Sequence, residues 1–139
     1  MTDITTGSCL CGNVTFEYAG DVGDAAYCHC TDCRKTTGSA FNISVGLPLT
    51  GFRIVNGTPK TFTKTADSGR ALTRHFCGDC GAPLFTSSPS HPDTVYVKAG
   101  ALDDPGAVKP AYQSWTRSRV NWSKIPDDLP GFKTDRSGA

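Results

Sequence analysis

The sequence predicts a single mainly-β domain of short antiparallel strands stapled by metal, and three observations carry that prediction. Apolar residues recur at every second position, as in Val14, Phe16, Tyr18 and in Phe41, Ile43, Val45, Leu47. Fifteen glycines and nine prolines among 139 residues interrupt the chain too often for long helices. Seven cysteines fall in tight groups, while just under a fifth of the chain is Leu, Ile, Val or Phe. So thin a core gains from a bound metal, and a chain of this length is one domain of ordinary size, residues 1–139, with an ordered body over about 7–132.

The elements follow in order. Residues 13–18 alternate apolar and polar side chains, the pattern of a strand with one buried face. Residues 30–37 are the one stretch that invites a helix, with Thr31 as its cap and Gly38 as a left-handed stop. Residues 41–47 form the next strand, followed by 52–56, 60–65, 71–76 and 94–99, separated by turn clusters such as Asn56-Gly57-Thr58-Pro59 and Asp67-Ser68-Gly69. The Asn-Gly pair predicts a short hairpin between 52–55 and 60–65. From Asp103 onward, Pro105, Pro110, Pro126 and Pro130 break any long element, residues 125–132 are read as an irregular tail packing a few apolar residues onto the body, and residues 133–139 are expected to fray.

Charge narrows the function. Fourteen Lys and Arg against thirteen Asp and Glu leave a formal net charge of +1, so no global field selects nucleic acid, an anionic membrane or an acidic partner. Arg117, Arg119, Trp115 and Trp122 are a weak nucleic-acid signal without a broader basic face. The start MTDITTGSCLCGN shows neither a basic n-region nor an apolar h-region, and no apolar run is long enough to span a bilayer, so the expectation is a cytoplasmic protein with reduced thiols.

The odd cysteine count and the spacings Cys9-x-Cys11, Cys28-x-Cys30-x-x-Cys33 and Cys77-x-x-Cys80 favour metal over disulfides. Cys77-Gly-Asp-Cys80-Gly81 has the form of a zinc knuckle, and Cys9-Leu-Cys11-Gly12 can supply the other half of a closed, structural tetrahedron. Cys28, Cys30 and Cys33 then remain as three ligands with an open position, the arrangement of a catalytic zinc. Spacing alone also permits Cys30 and Cys33 to join Cys77 and Cys80, and leaves His29, His75 or His91 as further ligands.

GSCLCGNVTFEY, YCHCTDCRKTTGSAF and RHFCGDCGAPLF resemble, in order and spacing, the glutathione-dependent formaldehyde-activating family, which includes relatives of centromere protein V. The resemblance covers roughly residues 7 to 132 and rests on all seven cysteines plus the glycines after Cys11 and Cys80. It implies a β-tent fold with two zinc ions per chain, a structural one on Cys9, Cys11, Cys77 and Cys80 and a catalytic one on Cys28, Cys30 and Cys33. It implies carbon–sulfur lyase chemistry, in which glutathione or a similar thiol adds to formaldehyde or a small aldehyde, or the reverse.

Three thiolates leave such a zinc a soft, weakly Lewis-acidic centre, suited to capturing a thiol as thiolate. Glutathione carries two carboxylates, so Arg34, directly after Cys33, is the first candidate contact, followed by Lys35, Arg70 and Arg74. Thr36, Thr37 and Ser39 are read as a turn or a pocket mouth, and Phe41 and Trp115 as core or pocket wall. A non-catalytic zinc-stabilised binding module and a redox or zinc-buffering protein are the alternatives to the enzyme.

Overall fold

The computed structural model describes residues 3–125 and 128–136. Along the chain come β1 (Ile4–Ser8), β2 (Thr15–Ala19), β3 (Asp24–Cys28), α1 (Thr31–Thr37), β4 (Asn42–Pro48), β5 (Phe52–Asn56) and β6 (Lys60–Thr65). Then follow β7 (Ala71–Phe76), β8 (Pro83–Ser87), β9 (Thr94–Lys98) and β10 (Lys109–Ser114). The strands form a three-stranded sheet, β1-β2-β5, and a seven-stranded sheet, β10-β3-β4-β9-β8-β7-β6. All ladders are antiparallel except β10 with β3.

The apolar core lies between the two sheets. Phe16 and Tyr18 of β2 face inward at alternate positions, and Val45 and Leu47 of β4, Leu84 and Phe85 of β8, and Val95 and Val97 of β9 meet them from the larger sheet. A chain of rings ties the layers together: Phe16 to Phe52 at 5.5 Å and Phe52 to Phe85 at 4.9 Å. Gly7 of β1 lets Phe16 in, since a Cβ there would stand 2.2 Å from the Phe16 ring and 2.7 Å from the Ala101 carbonyl oxygen.

The other face of the larger sheet is where function can sit. Period-2 alternation sends Val45 and Leu47 to the core and Asn42, Ser44 and Gly46 to the opposite side, where they border a cavity of about 650 Å³. Cys28 of β3, Leu72 and Arg74 of β7, Thr86 of β8, Tyr96 and Lys98 of β9, and Ser114 of β10 line the same cavity by the same alternation.

Several expectations are corrected. Residues 52–56 and 60–65 do not pair: β5 joins β2, and β6 joins β7 in the other sheet. The reason is tertiary. Phe16 and Phe52 pack together, and the Asn56-Gly57 turn is held by the β1–β2 connection, with Asn56 Nδ2 donating to the Asn13 carbonyl at 3.1 Å. The cap of α1 is Cys30, whose sulfur accepts from the Cys33 N–H at 3.2 Å; Gly38 closes the helix at φ 69° as expected. Strands β1, β3, β8 and β10 lie where no strand was expected.

β10 draws the described part of the later tail alongside it. Gln113 N–H donates to the Pro130 carbonyl at 2.8 Å, Phe132 N–H to Gln113 at 2.9 Å and Trp115 N–H to Thr134 at 2.8 Å. Residues 133–136, expected to fray, are therefore docked; 137–139 lie outside the described residues.

Candidate metal centre and its cavity

Two separate sulfur groups form. Cys9 and Cys11 follow β1, Cys77 and Cys80 follow β7, and within each group the Sγ atoms lie within 4.8 Å of one another. In the four-sulfur group, Cys9 to Cys11 is 3.6 Å and Cys11 to Cys77 is 3.7 Å. Edges of about 3.8 Å are what a tetrahedron with zinc–sulfur bonds near 2.3 Å requires. Each half is a tight turn closed by a left-handed glycine, Gly12 at φ 81° and Gly81 at φ 78°, and Asn13 Nδ2 bonds Asp79 across the halves at 2.8 Å. Backbone donors favour the thiolate form at Cys9 and Cys80, while burial and the neighbouring sulfurs push Cys11 up to about 12. The Val14 N–H, 3.3 Å from Cys9 Sγ, holds that thiol below its usual value, and the Ala82 N–H brings Cys80 down to about 6.

The second group is Cys28, Cys30 and Cys33. β3 delivers Cys28, α1 is capped by Cys30, and the first helical turn brings back Cys33. Hydrogen bonds from Cys30 and Cys33 bring Cys28 down to about 2, while the hydrogen bond each makes to Cys28, and then its negative charge, raises Cys30 to about 11 and raises Cys33 as well. Three converging sulfurs therefore share one charge readily and resist a second. A soft cation relieves that repulsion, so the donor set fits zinc.

The separation of the groups excludes the pairing of Cys30 and Cys33 with Cys77 and Cys80, and among the described residues neither group contains a histidine. His29 is fully buried with its ring turned to Gln113, Nε2 to Oε1 at 3.0 Å, and it meets Phe41 edge-on. His75 stacks on Phe85 at 4.2 Å and bonds Ser87 at 3.0 Å. His91 lines the cavity apart from the sulfurs.

Cys28 and Cys33 open onto the 650 Å³ cavity, and a smaller one of about 140 Å³ is lined by all three cysteines with Arg70, Arg74, Trp115 and Asp135. Cys9 of the four-sulfur group borders a more apolar cavity of about 690 Å³ that also touches Thr37, Ser39 and Phe41. The cations on the 650 Å³ cavity are Arg70, Arg74, Lys98 and Arg136; Arg34, half-buried on α1, is not among the residues lining it. Sequence proximity pointed to Arg34 because it follows Cys33, yet one step along a helix turns a side chain by about 100°. Lys98 was missed, since a Lys that ends a strand reads as a solvated charge. Burial lowers its pKa, and the cysteine charges partly restore it. Trp115 holds a left-handed backbone, φ 56° and ψ 40°, the one non-glycine with positive φ among the described residues, on the wall of both cavities that reach the three-sulfur group.

The sequence profile of the glutathione-dependent formaldehyde-activating enzymes matches residues 4–118. The chain belongs to that family. Two proteins provisionally named as glutathione-dependent formaldehyde-activating enzymes are similar to it, one from Phaeosphaeria nodorum and one from Penicillium rubens. The first is 24% identical over 130 residues, covering 90% of this chain and 66% of that protein; the second is 25% identical over 126 residues, covering 87% and 64%. This chain thus spans just under two thirds of the length of these relatives. A crystal structure of a Rhodobacter sphaeroides protein shares the fold at a TM-score of 0.56 and 19% identity, covering 91% of this chain and 98% of that one. No helix among the described residues is long and apolar enough to cross a membrane.

Proposed function

We propose that this protein is a zinc-dependent carbon–sulfur lyase that adds a thiol, glutathione or a similar one, to formaldehyde or a small aldehyde, and catalyses the reverse. The observation that carries the reading is the division of the seven cysteines into one complete set of four and one set of three that opens onto a cation-lined cavity. Cys9, Cys11, Cys77 and Cys80 would hold a structural zinc and Cys28, Cys30 and Cys33 a catalytic one. Zinc held there by Cys28, Cys30 and Cys33 would supply stabilisation of an incoming thiol in its deprotonated, nucleophilic form.

The remaining work falls to the chain. Arg74, Lys98 and Arg136 draw an anionic thiol into the cavity, where partial exclusion of water strengthens their field. As the sulfur attacks the carbonyl carbon, the C–S bond forms, the C=O π bond breaks and charge develops on oxygen. Lys98, close enough to Cys33 for their charges to interact, donates a proton from Nζ to that oxygen, and its lowered pKa makes it the better acid. In the reverse direction Nζ takes the proton back as the C–S bond breaks. Arg34 remains a candidate contact for a substrate carboxylate reaching beyond the cavity.

The test is consumption of free formaldehyde by the zinc-loaded protein with glutathione, measured above the uncatalysed rate. The excess rate is expected to vanish in Cys30→Ser and to fall by about 10²-fold in Lys98→Met. Full excess turnover in Cys30→Ser would sink the proposal and leave a zinc-stabilised binding module.

A further inference from the structure

Asp135 and Arg136 reach the cavity wall from a segment that lies beyond residues 4–118, the stretch the family profile matches. The segment runs along β10 through the backbone bonds of Gln113, Trp115 and Phe132, and is fixed by the Tyr112–Phe132 contact at 6.0 Å. Arg136 closes it, with its guanidinium 4.6 Å above the Tyr112 ring. This docking places Asp135 Oδ2 3.2 Å from a guanidinium nitrogen of Arg70. Both side chains are mostly buried, 28% exposed for Arg70 and 19% for Asp135, and both line the 140 Å³ cavity with Cys28, Cys30 and Cys33.

An ion pair fixed beside three sulfurs offers adjacent positive and negative charge to whatever carries the reacting thiol. A substrate with only a carboxylate would set a second anion against Asp135, and one with only an amine would set a second cation against Arg70; each arrangement is unfavourable in a partly desolvated wall. An α-amino acid group carries both charges on one carbon. Laid head to tail on the pair, its carboxylate meets the planar guanidinium and its ammonium meets Asp135, so all four charges are opposed.

We propose that Arg70 and Asp135 form a receptor for a free α-amino acid group on the thiol substrate, with Asp135 the specificity-determining residue for its ammonium. The proposal rests on the thiol–aldehyde reading above. It adds that thiols whose amine is acylated are discriminated against, by a residue that the segment beyond the family match supplies.

The test uses the full zinc-loaded chain and ligands that carry no free thiol, S-methyl-L-cysteine and S-methylglutathione, each beside its N-acetyl counterpart, with dissociation constants from titration calorimetry. N-acetylation is expected to weaken binding about tenfold in the wild type and less than about twofold in Asp135→Asn, with Asp135→Glu retaining most of the penalty. Equal penalties in wild type and Asp135→Asn, no penalty in the wild type, or binding of neither parent ligand would each overturn the receptor. Formaldehyde consumption with 2-mercaptoethanol, which carries neither charge, separates the two readings. Excess turnover together with equal penalties refutes the receptor alone; no excess turnover with any thiol, together with Asp135-dependent discrimination, refutes the reaction alone.

Discussion

Replacing Cys30 with serine divides the two sulfur groups experimentally. The cap of α1 survives the change, because a serine oxygen accepts the Cys33 N–H as the sulfur does, so the effect falls on the metal rather than on the helix. In the wild type seven sulfurs shared by two zinc ions would give a mean of 3.5 sulfurs per metal; in the variant the remaining ion would keep four. The four-sulfur edges of 3.6 and 3.7 Å place a central ion about 2.2 to 2.3 Å from each sulfur, the usual zinc–thiolate distance. Elemental analysis after exhaustive dialysis should therefore read two zinc ions falling to one. X-ray absorption should show a pure four-sulfur shell near 2.3 Å in the variant, with a lighter scatterer in the wild type. A wild type with one zinc that Cys30→Ser leaves untouched, or a variant shell with fewer than four sulfurs, would refute the division of the site.

Cys77→Ser should behave oppositely: Cys77 is 1% exposed within the core, and loss of a structural zinc, about 10–16 kcal/mol of apparent free energy in peptide models, exceeds the usual margin of stability, so circular dichroism should report an unfolded chain. Leu84→Ala, at a fully buried position, should lower the unfolding free energy by about 2–5 kcal/mol in urea titrations. Gly7→Ala should cost about 1–3 kcal/mol because its methyl meets the Phe16 ring, and part should return in the Gly7→Ala, Phe16→Leu double variant. Burial holds the pKa of His75 below its unfolded value, so its neutral form contributes stability above about pH 6.5 that is lost as pH falls through the folded pKa; over that window His75→Gln should melt with a shallower pH dependence than the wild type.

How much of this could be read from the residues differs between fold and site. The strands at 13–18, 41–47, 60–65, 71–76 and 94–99 were legible because alternation is a local property that survives in the sequence. β1 and β3 escaped because ITTGS and DAAYC carry small or polar residues at positions where burial comes from neighbouring strands, and β8 because PLFTS sets its apolar Leu84 and Phe85 side by side rather than in alternation. The same alternation hid the cavity. Asn42, Ser44 and Gly46 read as the solvent face of a strand, and a polar face looks alike in sequence whether it meets water or a walled site.

The sequence by itself determined the mainly-β class and the three tight cysteine groups, because thiols within a few residues of one another are brought together by local turns. Tertiary structure alone decided which knuckle meets which, that β5 turns away from β6, and that residues 133–136 dock beside β10 rather than fray. It also placed Lys98 and the Arg70–Asp135 pair beside the three sulfurs and left Arg34 outside the cavity. The pair joins residues 65 positions apart, and such neighbours are chosen by the strand pairing and packing of the whole chain, which no local pattern encodes.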